Sequence, residues 1–278
     1  MKLSCIIPIY GLSSGENHRY FEDLLCAISI ASAPLGDEFE MIVVNDDKDR
    51  ISRQDIMALC KKHGIENKLV YKENVTNRGQ AFSRNIGASI ASGEYLHFID
   101  QDDYISDNYY SEILKSGDET SIIISKPYFS KDDEIKRAYT GLLQAAYRHA
   151  YYLKDLWYLL ISNVVYSPGQ MLMPKKYFDS VGGFPVLSHR GADDFALFYN
   201  LVFGGDKIPV KFNSESIFYY RIHSQQNSKL SSTNLSACEF LSTHRPANLK
   251  QQIVYDSKMK RWVGVLCKIF YVLYYKRA

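Results

Sequence analysis

Apolar residues in the first hundred positions come in short runs, separated by stretches with helical spacing. Predicted strands cover residues 3–9, 39–44, 68–71 and 95–99, and predicted helices cover residues 21–31, 51–63 and 82–90. Within the third helix, Phe82, Ile86 and Ile90 share one face, which we expect to be buried, and Gly93 is expected to end it. Strands that alternate with helices in this way predict an α/β fold with a doubly wound, mostly parallel sheet flanked by helices.

The second part of the chain has a weaker pattern. Asp107 is a candidate N-cap for a helix over residues 107–115, and residues 131–137 form a charged stretch that we interpret as a solvated loop or helix face. Further elements are expected at 121–124 (strand), 142–161 (helix), 170–173 (strand), 175–181 (helix), 191–204 (helix) and 216–220 (strand). Residues 231–256 show no clear periodicity.

Acidic side chains lie directly after the ends of two predicted strands. Asp100, Asp102 and Asp103 come after residues 95–99, and Asp46 and Asp47 come after residues 39–44. Open α/β sheets bind ligands beyond the carboxyl ends of their strands, and clustered carboxylates suit Mg²⁺ or Mn²⁺. The alternative is a solvated acidic turn that caps the next helix.

Composition argues against several classes of protein. The net charge of +2 over 278 residues argues against a nucleic-acid binder that relies on bulk charge. The five cysteines have neither CxxC nor zinc-ligand spacing, which favours reduced thiols and a cytoplasmic location. We expect no signal peptide, and no apolar run approaches the roughly 20 residues of a spanning helix.

Four motifs in order, PIY, IVVNDD, RGQAFSRNIG and ASGEYLHFIDQDD, resemble the nucleotide-sugar-binding half of a family 2 glycosyltransferase with the GT-A fold. The resemblance covers roughly residues 3–103. It implies a catalytic domain over residues 1–230, with a nucleotide-sugar-binding half at 1–103 and an acceptor-binding half at 104–230. Residues 231–278 would form a C-terminal helical appendage.

The resemblance also implies roles for residues on the donor side. Pro8, Tyr10, Asp46, Arg84, Asp100 and Gln101 would bind the nucleotide sugar, expected to be a UDP-sugar. Within this set, Asp46 would bind the uracil or ribose, and Arg84 would contact the base or diphosphate unless it forms a salt bridge to a neighbouring carboxylate. Asp100 and Asp102 would form the DxD element that holds Mn²⁺ or Mg²⁺ on the diphosphate.

The sequence departs from the family pattern in places. The usual Asp-Asp-Gly-Ser is here Asn45-Asp46-Asp47-Lys48, and Gly11 replaces the usual Asn. These departures keep open a non-catalytic nucleotide-binding relative that serves as partner of another glycosyltransferase. A nucleotidyltransferase is a further alternative, but the loop after residue 9 lacks the basic residues expected of one.

Two residues on the acceptor side match the same family. Asp194 corresponds to the catalytic base that an inverting transfer needs, and Asp193 replaces the usual Glu before it. Helix capping is the alternative for both carboxylates. His223 is a candidate third metal ligand, unless it is a hydrogen-bonded histidine of a closing loop.

The tail over residues 258–277 has basic ends around an aromatic, apolar middle. It resembles an interfacial helix that docks on anionic lipid, and packing against the catalytic domain is the alternative. We therefore expect a peripheral enzyme on the inner face of the cell membrane, acting on a saccharide or a lipid-linked saccharide, with no nucleic-acid partner.

Overall fold

The computed structural model describes residues 2–13, 15–115, 120–131, 134–137, 157–162, 165, 167–188, 191–204, 208–224, 232–260 and 265–266. The strands in this part of the chain are β1 (Leu3–Ile9), β2 (Phe39–Asn45), β3 (Leu69–Glu73), β4 (Tyr95–Phe98), β5 (Tyr104–Ile105), β6 (Ile122–Lys131), β7 (Glu134–Arg137), β8 (Met171–Pro174) and β9 (Val210–Arg221). The α-helices are α1 (Gly15–Ser32), α2 (Arg53–Lys62), α3 (Gln80–Ile90), α4 (Tyr109–Leu114), α5 (Trp157–Ser162), α6 (Lys175–Ser180), α7 (Asp193–Phe203), α8 (Ser232–Ser242) and α9 (Leu249–Met259).

One sheet runs through the molecule in the order β3-β2-β1-β4-β8-β6-β9-β5, and β7 pairs with β6. The first four strands in this order are parallel, as the alternation of strands and helices predicts. Strand β8 then pairs antiparallel with both β4 and β6, and β9 runs parallel to β6. The expected α/β class is confirmed, and the antiparallel β8 is the junction between the two parts of the sheet.

The sheet has an apolar core on each face, and β1 contributes to both because its side chains alternate. Ile6 packs in the core that includes residues of α5, α7, α8 and α9, whereas Cys5 and Ile7 pack in the core that includes residues of α1, α2 and α4. Helices α8 and α9 are therefore part of the packed structure: Phe240, Leu241 and Val254 are buried.

Several expectations about elements are wrong. The charged stretch at 131–137 is a strand where the structure describes it: Lys131 ends β6, and residues 134–137 form β7, an edge strand on β6. Helices α8 and α9 agree with the expected C-terminal helical appendage, although residues 231–256 show no clear periodicity. Asp107 is not a cap: Asn108 precedes the first residue of α4, and no side chain caps that helix.

Helix α3 turns a different face to the core from the one its apolar residues predict. Its buried residues are Ser83, Arg84, Gly87 and Ala88, whereas Ile90 is 41% exposed. Gly87 lies against strand β1 so closely that a Cβ there would overlap Cγ2 of Ile6. The small side chains let the helix approach the sheet, and this close approach rather than apolar periodicity sets its orientation.

Some expectations fall outside the described residues. Most of the predicted helix over residues 142–161 belongs to this group, as does the predicted interfacial helix apart from residues 258–260 and 265–266. None of the helices within the described ranges is long and apolar enough to cross a membrane.

Candidate functional site

A cavity of about 790 Å³ opens at the carboxyl ends of β1, β2 and β4 and reaches the first turn of α7. Every residue for which the sequence predicts a role lines it. These residues are Pro8, Tyr10, Asp46, Arg84, Asp100, Gln101, Asp102, Asp194 and His223. The donor-side and acceptor-side candidates therefore share one space, although up to 215 positions separate them in the chain.

Asp46 holds the segment that leads into α3. Its Oδ1 accepts hydrogen bonds from Asn74 Nδ2 at 2.8 Å and from the main-chain N–H of Arg78 at 2.9 Å. Its Oδ2 accepts from the N–H of Gly79 at 2.8 Å, where the main chain has a φ of 85°. Asp46 thus shapes the cavity wall, in addition to any contact that its carboxylate makes with a ligand.

The loop after β1 is fixed by two side chains from neighbouring strand ends. Gln101 pairs with the main chain of Tyr10: its Oε1 accepts from Tyr10 N at 2.8 Å, and its Nε2 donates to Tyr10 O at 2.8 Å. Asp47 Oδ2 accepts from the N–H of Gly11 at 2.9 Å. These bonds leave the Tyr10 ring at the cavity wall, 45% exposed.

Asn45 explains one departure from the family pattern. The buried Asn45 donates to Ile51 O and Tyr71 Oη, both at 2.9 Å, and its Oδ1 accepts from Asp47 N at 2.9 Å. An amide both donates and accepts here, whereas an ionised carboxylate could not donate to the two oxygen atoms.

Three carboxylates after β4 form a tight cluster. Oxygen atoms of Asp100, Asp102 and Asp103 lie within 4.8 Å of one another. Burial raises the pKa of Asp100 above its usual range, with Arg84 lowering it and Asp102 raising it. Burial also raises the pKa of Asp103, and the charges of Asp102 and Asp100 add to this effect. A positive charge placed between the three carboxylates would relieve the repulsion.

The donor set suits a hard divalent ion, because it consists of carboxylate oxygens. His223 lies at its edge, with Nε2 at 2.7 Å from Asp102 Oδ2. The resemblance implies Asp100 and Asp102 as carboxylate ligands. Asp103 lies in the same cluster; it is 2% exposed and accepts a hydrogen bond from the main-chain N–H of Arg221 at 2.9 Å.

Arg84 is buried and ion-paired. Its Nη1 donates to Asp193 Oδ2 at 2.6 Å, and its Nη2 donates to Asp100 Oδ1. Burial lowers the pKa of Arg84, but the charges of Asp100 and Asp193 outweigh this and raise it. The salt bridge that the sequence left open is thus present, and the contact with a base or diphosphate stays a prediction.

Asp194 lies one residue inside α7. Its Oδ1 accepts from the N–H of Phe195 at 2.7 Å. Burial and then the negative charge of Asp193 raise the pKa of Asp194 to about 6. A carboxylate with this pKa is ionised at neutral pH yet basic enough to accept a proton, which is what general base catalysis requires.

Sequence reasoning missed two residues that build the site: Gln80, which donates to Asp100 Oδ1 at 2.5 Å, and Asn74, which donates to Asp46. It named Asp47 and Asp193 but did not predict their partners, the N–H of Gly11 and the guanidinium of Arg84. Each of these partners is distant in the chain or on a different element. In the sequence, such a residue can be recognised only as a polar residue next to a motif. That position does not predict which atom its side chain will bond.

Comparison with known proteins agrees with the resemblance to family 2 glycosyltransferases. A family model described as Glycosyltransferase like family 2 matches residues 4–225. A poly(ribitol-phosphate) beta-glucosyltransferase of Bacillus spizizenii is 36% identical over 107 residues, which are 38% of this chain and 15% of that protein. An uncharacterized glycosyltransferase of Haemophilus influenzae is 22% identical over 262 residues, covering 91% of this chain and 80% of that protein.

The chain spans only a small part of several curated relatives: 15% of the Bacillus spizizenii protein and 25% of the putative glycosyltransferase EpsH of Bacillus subtilis. Among solved structures, S. aureus TarS 1-349 in complex with UDP-GlcNAc superposes with a TM-score of 0.66 and 17% identity. That likeness covers 94% of this chain and 72% of the TarS chain, and it confirms the fold expected from the sequence.

Proposed function

The chain belongs to the glycosyltransferase-like family 2, and from this premise we propose that it transfers a sugar from a UDP-sugar to an acceptor hydroxyl, with inversion at the anomeric carbon. One observation carries the proposal: a single cavity joins Asp46, the acidic cluster after β4 and Asp194. The UDP and UDP-GlcNAc complexes of TarS support a nucleotide-sugar donor.

On the donor side, the main chain around Tyr10 and the carboxylate of Asp46 bind the nucleoside. Tyr10 presents an exposed ring on which a base can stack, and Gln101 keeps that loop in place through two hydrogen bonds. Pro8 is the next-to-last residue of β1 and lines the cavity, and its fixed φ stiffens the strand end.

Asp100, Asp102 and His223 would hold Mn²⁺ or Mg²⁺, and we add Asp103 to this set because of its position. A divalent ion bound there supplies positive charge that stabilises the departing diphosphate. Arg84 keeps the Asp100 carboxylate in position through their ion pair, and its positive charge partly neutralises the negative charge of the acidic cluster.

Asp194 acts as the general base. It takes the proton from the acceptor hydroxyl as that oxygen attacks the anomeric carbon and the bond from the sugar to the diphosphate breaks. Attack from the face opposite the diphosphate gives inversion in one displacement. The pKa of about 6 keeps Asp194 ionised at neutral pH.

For the acceptor we propose a saccharide, carried on a lipid or a surface polymer. Relatives named for transfer to poly(ribitol-phosphate) support a surface polymer. The proposed contact with the inner face of the cell membrane through the C-terminal segment rests on the charge pattern of that segment alone.

The test is turnover of nucleotide sugars by the purified protein with Mn²⁺. We expect UDP release from at least one UDP-sugar, loss of transfer in Asp194→Asn, and an inverted anomeric configuration in the product by NMR. Absence of turnover with every nucleotide sugar would instead favour a non-catalytic nucleotide-binding partner of another glycosyltransferase, which the departures at Asn45 and Lys48 keep as the second candidate.

A further inference from the structure

The guanidinium of Arg84 connects the two sides of the cavity. One of its partners, Asp100, follows β4 in the parallel part of the sheet, and the other, Asp193, is the first residue of α7. Arg84 is 2% exposed, so both ion pairs form where water screens charges weakly. A displacement of either carboxylate would leave a buried cation without its partner, which is strongly unfavourable.

The neighbouring Asn85 holds a second point on the acceptor side. Its Nδ2 donates to Phe184 O at 2.8 Å, and its Oδ1 accepts from Phe184 N at 2.9 Å. Gly183 has a φ of 77°, and a Cβ there would lie 2.7 Å from Asn85 Oδ1. Two consecutive residues of α3 therefore anchor the chain at Phe184 and at Asp193.

The first turn of α7 needs such an anchor. Ala192, which precedes the helix, has a φ of 60°, and no side chain caps the helix there. A left-handed alanine costs roughly 1–2 kcal/mol, so contacts elsewhere must hold it. The Arg84–Asp193 ion pair acts one residue after Ala192 and one residue before Asp194.

We propose that Asp193 is a positioning residue, which through its ion pair with Arg84 fixes the first turn of α7 and so places the Asp194 carboxylate facing the donor. The inference deepens the proposed function and rests on it, since it takes Asp194 as the base. In this arrangement, the position of the Asp194 carboxylate depends on Arg84 of helix α3.

The experiment compares Asp193→Ala, Asp193→Asn and Asp193→Glu with wild type. For each protein we measure kcat, donor KM, UDP affinity by calorimetry and the thermal midpoint. Asp179→Ala is the matched control, because Asp179 pairs with Lys175 on the surface of α6 and is 55% exposed.

We expect Asp193→Ala to lower kcat by about tenfold or more, because a misplacement of about 1 Å can cost on the order of a hundredfold. Donor KM and UDP affinity should stay within about twofold, since ground-state donor binding is not what is lost. Asp193→Asn, which keeps the shape but not the charge, should give an intermediate loss. Asp193→Glu restores the carboxylate and should recover kcat to within about threefold.

Two results would overturn the assignment while leaving the proposed function intact. One is an unchanged kcat in a folded Asp193→Ala protein. The other is a parallel loss of UDP affinity, kcat and thermal midpoint that Asp193→Glu does not rescue, which would indicate general structural damage. A wild-type protein that turns over no nucleotide sugar refutes the proposed function itself, and the positioning role with it.

Discussion

His223 Nε2 lies 2.7 Å from Asp102 Oδ2, although 121 positions separate the two residues in the chain. The contact brings the end of β9 onto the acidic turn after β4. The His223 ring also packs on Tyr20 of α1, with ring centroids 5.4 Å apart. A residue from the C-terminal part of the chain thereby lies against the acidic cluster after β4.

Asp102→Asn should remove the gain in UDP affinity that Mn²⁺ provides. The amide keeps the shape of the side chain but loses the negative charge that makes a carboxylate a stronger ligand than a neutral oxygen for a divalent ion. Calorimetric titration of UDP with and without Mn²⁺ measures the effect, and chelation of the metal should bring wild type down to the level of the variant. Asp107→Asn, an exposed neighbour, serves as control. Unchanged UDP affinity in Mn²⁺ would exclude Asp102 as a ligand.

Gln101→Ala should raise the donor KM by roughly tenfold, because it removes two hydrogen bonds that position the Tyr10 main chain, each contributing about 1 kcal/mol. The reduction in kcat should be smaller, since the base and the acidic cluster are untouched. Steady-state kinetics at saturating acceptor separate the two constants. Gln252→Ala on α9, where the amide bonds Asp256, is the control. A normal donor KM would show that the loop holds its position without Gln101.

The convergence of Asp46 and Asp100 on one cavity was predictable from the sequence, because the order and direction of the strands determine it. Once residues 3–9, 39–44 and 95–99 are identified as parallel strands, their carboxyl ends meet at one edge, and Asp46 and Asp100 must lie near each other. The partners of Arg84 were not predictable in this way. Asp193 lies 109 positions away, and no local pattern encodes that pairing.

Helix α8 was not predicted for a different reason, which is the composition of its buried face. Its buried residues include Ser236, Ala237, Phe240 and Leu241, which have helical spacing, but two of the four are small and one is polar. The buried face of this helix therefore differs little in hydrophobicity from its exposed face, and the sequence shows no clear helical periodicity. Strand β7 was missed for a related reason: Glu134 and Ile135 are exposed, as expected at a sheet edge, and a charged edge strand looks like a solvated loop in the sequence.

Gly93→Ala should destabilise the protein by about 1–3 kcal/mol, the range for an overpacked core. A Cβ at this position would lie 2.5 Å from Ser4 Oγ and 2.6 Å from Ser4 N, and the main chain of β1 cannot move without disturbing the sheet. Urea unfolding gives the free energy of unfolding. Gly15→Ala is the matched control, because a Cβ there meets nothing within 4 Å. Equal stability of the two variants would show that residues 91–94 can move away from β1.

The final prediction concerns the pH dependence of transfer. Burial, followed by the charge of Asp193, raises the pKa of Asp194 to about 6. Because the ionised form accepts the proton and this pKa belongs to the free enzyme, kcat/KM should increase about tenfold per pH unit below this pKa and level off above it. Asp194→Asn should lower kcat by about 10²–10⁴-fold and keep UDP affinity, since the amide cannot act as a base. Asp179→Asn on α6 should behave like wild type throughout. A kcat/KM that already levels off near the ordinary aspartate pKa of about 4, or substantial transfer by Asp194→Asn, would assign the role of the base to another group.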